Sequence, residues 1–337
     1  MASMRAMLRN ILHTHPAIHV IGEAADPYEA REKIKQLNPD VITLDVEMPK
    51  MDGISFLQKI MSLRPMPVIM LSTLTGKGTE VAVRALEIGA FECLPKPNLH
   101  NPQALHHFSQ RLHAVILSAG EARLPRRLAA QQSPLPPAYE KLTPLPSAPD
   151  IIAIGASTGG VEAFSRLAHA LPPDLPPVFL TQHMPPGGFT ASYAARLRNS
   201  CACNVVEAQH GMPVERGMIA IAPGGRHMLA RRRGKTFYAQ LSDTAPVSGH
   251  RPSVDVLFQS VAALEATQAM GIIMTGMGKD GAQGLLEMRR AGARTLSQSK
   301  ESCVVYGMPR AAEALGAPQK ILPLEKIPLA ILEECFT

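Results

Sequence analysis

Short apolar runs alternate with amphipathic segments along the first ~120 residues. The runs Ile18–Gly22, Val41–Leu44, Val68–Leu71 and Phe91–Leu94 read as strands. Between them, Pro27–Leu37, Ile54–Leu63 and Thr79–Ile88 place apolar residues three or four apart and read as helices. MRAMLRNIL, at the start of the chain, reads as a further helix. Repeated β-α alternation implies a parallel sheet covered on both faces.

From Leu124 to Pro149 the periodicity stops, and QQSPLPPAYEKLTPLPSAP reads as a semi-extended linker. Alternation then resumes with strand Ile151–Gly155, helix Val161–Ala170, strand Val178–Gln182, a helix from Gly188, and strand Val205–Glu207. Met218–Ala222 and Thr236–Leu241 flank a basic turn and suggest a hairpin. Helix Ser253–Leu264, strand Met270–Thr275, helix Gly281–Arg290 and strand Arg294–Leu296 follow. The pattern predicts two α/β domains, over 1–121 and 150–337, joined by a linker at 122–149. Both are expected to be doubly wound parallel sheets, the second carrying a β-hairpin.

Composition changes this picture little. The 337 residues are 46% hydrophobic and 18% charged, as in a soluble globular protein. No stretch approaches ~18 uninterrupted apolar residues, and the N-terminus lacks a secretory signal. Five scattered cysteines fit a reducing compartment, so the expected location is cytoplasmic. Cys201-x-Cys203 has no companion pair at zinc-ligand spacing. The net charge of +6 is densest at Arg123–Arg127 and Arg231–Lys235, each a solvated turn or a surface for an acidic partner. Nucleic acid suits them poorly, since aromatic residues make up only 4% and no recognition motif surrounds them.

The chemistry lies at strand ends, where open α/β sheets bind ligands. Ser157 follows IIAIG, His183 follows VFLTQ, and Asp280 follows GIIMTG within Met277-Gly278-Lys279-Asp280-Gly281. A serine hydroxyl attacks only when a base takes its proton, and a carboxylate fixes that base's tautomer. The three residues supply those roles, and tight glycine turns can bring N–H groups near a developing oxyanion. Gly155-Ala156-Ser157-Thr158-Gly159 also fits the α/β-hydrolase elbow, but there the acid precedes the histidine. Gly276–Gly281 spells a dinucleotide motif, yet the next strand ends in Ser297 and Gln298 instead of an acid, and Asp280 would repel a pyrophosphate.

Together IAIGASTGGVEA, TQHMPPGGFTASYAARL, IAPGGRHM, HRPSVDVLF, MTGMGKDGAQGL and SCVVYGMP resemble the chemotaxis protein-glutamate methylesterase family, CheB. The resemblance implies hydrolysis of glutamyl methyl esters on chemoreceptor helices with release of methanol, and in many members deamidation of receptor glutamines. It makes Ser157 the nucleophile, His183 the general base and then acid, and Asp280 the orienting carboxylate. The backbone N–H of Met277 as oxyanion donor comes from the resemblance alone. No cofactor is implied for this catalysis.

In the first half, Asp45 follows VITL, Ser72 closes VIMLS, and Lys96 sits in Leu94-Pro95-Lys96-Pro97. Carboxylate, hydroxyl and ammonium at neighbouring strand ends suit an aspartyl phosphate. LDVEMPKMDG, LSTLTGKG and PKP resemble the receiver domain of response regulators, a flavodoxin-like fold. The resemblance implies phosphorylation of Asp45 by a chemotaxis histidine kinase, Mg²⁺ held by Asp45 and the carbonyl of Glu47, and a cis Lys96–Pro97 bond. Cys93 stands where receivers carry an aromatic switch residue. The first strand of a receiver, with its acidic Mg²⁺-binding pair, has no counterpart before MRAMLRNIL. Either the natural chain starts further upstream or this receiver is degenerate. Two rival readings stand beside this one. The first is a receiver-controlled esterase on small soluble esters. The second is a DNA-binding response regulator, which would need a helix-turn-helix output in place of the long α/β pattern.

Overall fold

The computed structural model describes residues 2–72, 76–97, 101–122, 142–265 and 267–337. It divides into two compact units, Met1–Arg126 and Arg127–Thr337. Arg123–Arg127 and most of the stretch read as a linker lie outside the described residues.

The first unit runs α1 (Ala2–His13), α2 (Pro27–Leu37), β1 (Ile42–Asp45), α3 (Gly53–Leu63), β2 (Val68–Ser72), α4 (Gly76–Ile88), β3 (Glu92–Pro95) and α5 (Pro102–Glu121). Asp26 and Asp52 cap α2 and α3, each accepting backbone N–H bonds of the first turn. The strands form a parallel sheet in the order β1-β2-β3, and every residue of the central β2 is buried. The five-turn α5, absent from the sequence reading, packs Leu112 and Val115 into the core.

Ile18–Gly22, expected as a strand, pairs with no strand among the described residues. The physical reason lies at the neighbouring edge. Ile42 N–H and Val46 N–H bond to the carbonyls of Pro67, just before β2, and of Leu71 within it, so by alternation those of Thr43 and Asp45 point away from the sheet. On that side lies a cavity of about 560 Å³ bordered by Leu8, Leu12, Ile18, Ile42 and Leu44. The unit is therefore an α/β parallel sheet with an open β1 edge.

The second unit comprises β4 (Ile151–Ala156), α6 (Gly160–His169), β5 (Val178–Gln182), α7 (Phe189–Arg198), β6 (Asn204–Glu207), β7 (Met212–Val214), β8 (Met218–Ile221), β9 (His227–Arg233), β10 (Thr236–Ser242), α8 (Val254–Ala262), β11 (Ala269–Ile273), α9 (Ala282–Arg290), β12 (Arg294–Gln298), α10 (Met308–Ala314), β13 (Lys320–Leu322) and α11 (Ile327–Cys335). Seven strands make one parallel sheet in the order β13-β12-β11-β4-β5-β8-β6. The three middle strands β11, β4 and β5 are buried throughout, which is why they read as unbroken apolar runs. Phe164, Phe179 and Phe258 are fully buried around them, and each such side chain stabilises the fold by roughly 1.5–3 kcal/mol.

The hairpin differs from its expected strands. Thr236–Ser242 pairs with His227–Arg233 in the small antiparallel sheet β7-β10-β9, while Met218–Ile221 joins the large sheet between β5 and β6. The last three residues of HMLARRR are exposed arginines, so polarity hid a strand whose first half is mostly buried. Arg231–Lys235 is the tip of this hairpin, with Arg231 bonded to Gln240 and Arg233 lying over the Tyr238 ring. Residues 143–147, expected in the linker, belong to the second unit: Leu145 N–H donates to Cys335 O at 2.9 Å and Arg294 donates to Ser147 O at 2.7 Å.

Candidate active site

Strand order decides where this site lies. From β4 the chain proceeds outward through β5 on one side, whereas β11, β12 and β13 extend on the other. The order reverses between β4 and β11, and a crevice forms beyond the carboxyl ends at such a switch point. Ser157 leaves β4, Asp280 lies just past β11, and His183 leaves the adjacent β5. Register holds them side by side: Ala156 pairs with Gln182, His183 N–H donates to Ala156 O at 3.0 Å, and Ser157 N–H donates to Thr275 O at 3.0 Å.

Asp280 is 1% exposed and accepts four hydrogen bonds. Its Oδ1 takes Ser253 Oγ–H at 2.7 Å and Asp255 N–H at 3.1 Å. Its Oδ2 takes Val254 N–H at 2.7 Å and His183 Nε2 at 2.8 Å. The carboxylate thus sits on the N-terminus of α8, where orphan N–H groups and the helix dipole favour negative charge. Burial alone would push its pKa up, but bonding to His183 and the α8 donors holds it down at about 2. Asp255, buried beside it, is pushed the other way, by burial first and by Asp280 as well.

An ionised Asp280 can only accept, so His183 Nε2 carries the proton and Nδ1 keeps a lone pair. That Nδ1 is buried and bonds to no described protein atom. It lies on the ring edge away from the carboxylate. Gln182 Nε2 donates to the carbonyls of Ser157 (2.9 Å) and His183 (3.2 Å), tying the two turns together. Gly276 closes the other wall: a methyl there would come within 2.8 Å of Ser157 Cβ and 2.2 Å of Met308 Sδ. Only glycine permits this approach, which brings the Met277 backbone next to the serine turn. Met277 N–H has no acceptor among the described residues, and its side chain is exposed at 37%.

The structure therefore brings Ser157, His183, Asp280 and Met277 to one crevice. Sequence reasoning missed Ser253, Gln182 and the N–H groups of α8. Ser253 carried a legible signal as the residue before an apolar helix, since it also caps α8 through Val256 N–H. Its second role, holding Asp280 from 27 positions away, is visible only in three dimensions.

The CheB methylesterase family matches residues 152–331, and the response regulator receiver domain matches residues 1–108. A protein-glutamate methylesterase/protein-glutamine glutaminase of Pectobacterium atrosepticum is 47% identical over 333 residues, covering 99% of this chain and 94% of the relative. The chain belongs to the CheB methylesterase family. A similarly named protein of Rhizobium etli is 49% identical over 98% of this chain and 93% of its own length. The crystal structure of the Thermotoga maritima CheB methylesterase catalytic domain is similar at 34% identity and a TM-score of 0.53, covering 55% of this chain and 98% of that one.

The receiver of this CheB-family chain also assembles its strand-end residues. Lys96 Nζ lies 2.7 Å from Asp45 Oδ1, and Lys96 N–H donates to Ser72 O at 2.8 Å. Ser72 is buried, and Asp45 Oδ1 also accepts Glu47 N–H at 3.0 Å. Cys93 lies buried on β3 with its thiol pushed up to about 12 by burial. The Lys96–Pro97 bond, expected cis, is trans, the form favoured by ~0.5–1 kcal/mol; the cis bond among the described residues is Arg251–Pro252.

Mg²⁺ is a poor fit for the residues present. The ion needs an octahedral oxygen shell, and Asp45 is already paired with Lys96. The neighbouring acid Glu47 also faces Lys96, at 3.9 Å, and Asp26 is paired with Lys50. Among the described residues no group of three or more His, Cys, Asp or Glu could hold a metal. Stoichiometric phosphate on Asp45 is therefore not expected when this 337-residue chain meets a small-molecule phosphodonor and Mg²⁺. Intact-protein mass checks this, and a full phosphate adduct would contradict it.

Proposed function

We propose that this chain is a protein-glutamate methylesterase and protein-glutamine glutaminase of chemotactic adaptation, with Ser157 as nucleophile, His183 as base then acid, and Asp280 as orienting carboxylate. The single observation that carries the assignment is the His183–Asp280 bond at 2.8 Å, which leaves Nδ1 as the unbonded ring nitrogen.

In this mechanism Ser157 Oγ attacks the side-chain carbonyl of a receptor glutamyl ester while His183 Nδ1 takes its proton. The developing oxyanion is met by Met277 N–H. Collapse expels the methoxy group, which leaves as methanol with the proton from His183. Water, deprotonated by the same nitrogen, then attacks the acyl-serine and releases glutamate and Ser157. A glutamine amide follows the same course with ammonia as leaving group.

The substrate is a chemoreceptor segment and the phosphodonor of the receiver a chemotaxis histidine kinase, as family membership supports in general terms. Cytoplasmic location fits both partners. Among the described residues no helix is long and apolar enough to cross a membrane. Neither proposed partner requires nucleic acid. The output unit is a seven-stranded α/β sheet, which leaves the DNA-binding alternative without its module.

The test is peptide mass spectrometry of a methylated receptor fragment incubated with the protein. Conversion of glutamyl methyl esters to glutamates is expected. Fast turnover of a small soluble ester with the receptor esters left intact would overturn the substrate assignment in favour of a general esterase.

A further inference from the structure

We propose that His250 is a positioning residue for His183, its ring packed on the base so that the imidazole keeps its plane and the imidazolium formed during reaction is stabilised. The inference rests on the hydrolase reading of Ser157 and His183 and adds a residue to it. The two rings lie 3.9 Å apart, centroid to centroid, and only 9° from parallel. A single hydrogen bond at Nε2 leaves an imidazole free to swing about that bond. A ring pressed on its face removes that freedom and keeps Nδ1 aimed at one point.

The chain invests conformational cost in this placement. Val247 and His250 exchange both backbone bonds, Val247 N–H to His250 O at 3.0 Å and His250 N–H to Val247 O at 2.9 Å. The two residues between them both have positive φ, Ser248 at 52° and Gly249 at 80°. This is the two-residue hairpin pattern that glycine and asparagine favour, and a serine in its first position is uncommon.

The turn is clamped beyond His250 as well. Arg251 donates to the carbonyls of Asp243 (3.1 Å) and Thr244 (3.2 Å), and its own carbonyl accepts Gly225 N–H at 3.1 Å. Two residues later Ser253 bonds Asp280, so one short segment grips both the carboxylate and the face of the base. When Ser157 gives up its proton, His183 becomes cationic between that carboxylate and the His250 π face. The face attracts the cation more than the neutral ring, so the gain falls in the transition state rather than in substrate binding.

The test compares His250→Ala and His250→Phe in the full-length protein, with Ser157→Ala in parallel and thermal melts to confirm folding. His250→Ala should lower kcat by ~10-fold or more with KM within ~2-fold, because only the transition state is affected. His250→Phe keeps an aromatic face and should recover most of that rate. Equal loss in both variants, a raised KM with unchanged kcat, or no loss in His250→Ala would each overturn the role. Turnover surviving in Ser157→Ala would instead refute the hydrolase reading beneath it, whatever the His250 variants show.

Discussion

Ser157→Ala is expected to lower kcat on receptor esters by roughly 10⁵- to 10⁶-fold, with a melting temperature close to wild type. The rate falls so far because the substitution removes the attacking hydroxyl itself. Stability holds because the turn is built from the backbone. Ser157 N–H bonds Thr275 O, and Ser157 O accepts both Gly160 N–H at 2.8 Å and Gln182 Nε2. None of these involves Oγ. Kinetics on a methylated receptor fragment, paired with a thermal melt, separates the two effects. A variant that is both inactive and unfolded would say nothing for the nucleophile and would count against the backbone argument.

The second large effect belongs to Asp280. Asp280→Asn should cost roughly 10³- to 10⁴-fold in kcat, less than loss of the nucleophile, because the base remains but its tautomer and imidazolium lose their charged partner. A stability effect accompanies it, with a defined sign. The folded pKa of about 2 lies below the ordinary 3.8, so the carboxylate stabilises the fold above pH ~4 and that contribution is lost as pH falls toward 2. Its size is on the order of 2 kcal/mol. The stability gap between wild type and Asp280→Asn should therefore be widest near neutral pH and close on acidification through that window. Denaturant melts at pH 6 and near pH 2.5 measure it. A gap that widened in acid would mean that the α8 donors do not hold an ionised carboxylate.

The placement of the three candidate side chains was legible in the sequence because each follows an apolar run long enough to be a buried strand, and α/β topology puts strand ends together. What the sequence withheld was partnership. Ser253 and the N–H groups of Val254 and Asp255 reach Asp280 from a different helix, and no spacing along the chain encodes that meeting. Ser248-Gly249 marks a turn locally, but nothing in that dipeptide says that the turn will lay His250 on the face of His183. Met218–Ile221 failed differently. A four-residue apolar run shows burial but not its neighbour, and the true hairpin strand was hidden by the arginines of HMLARRR. In the receiver, Asp45, Ser72 and Lys96 were legible for the same strand-end reason. Ile18–Gly22 has strand composition but is separated from the open β1 edge by a cavity, and backbone pairing, not composition, makes a strand.

Methanol is the product that reports most directly on Ser157 acting at receptor esters. A methylated chemoreceptor cytoplasmic fragment, incubated with wild-type protein and with Ser157→Ala, is assayed for methanol over time. Steady release by wild type and none above background by the variant is the predicted result. Equal release by both proteins, or none by either from a fully methylated fragment, would contradict it.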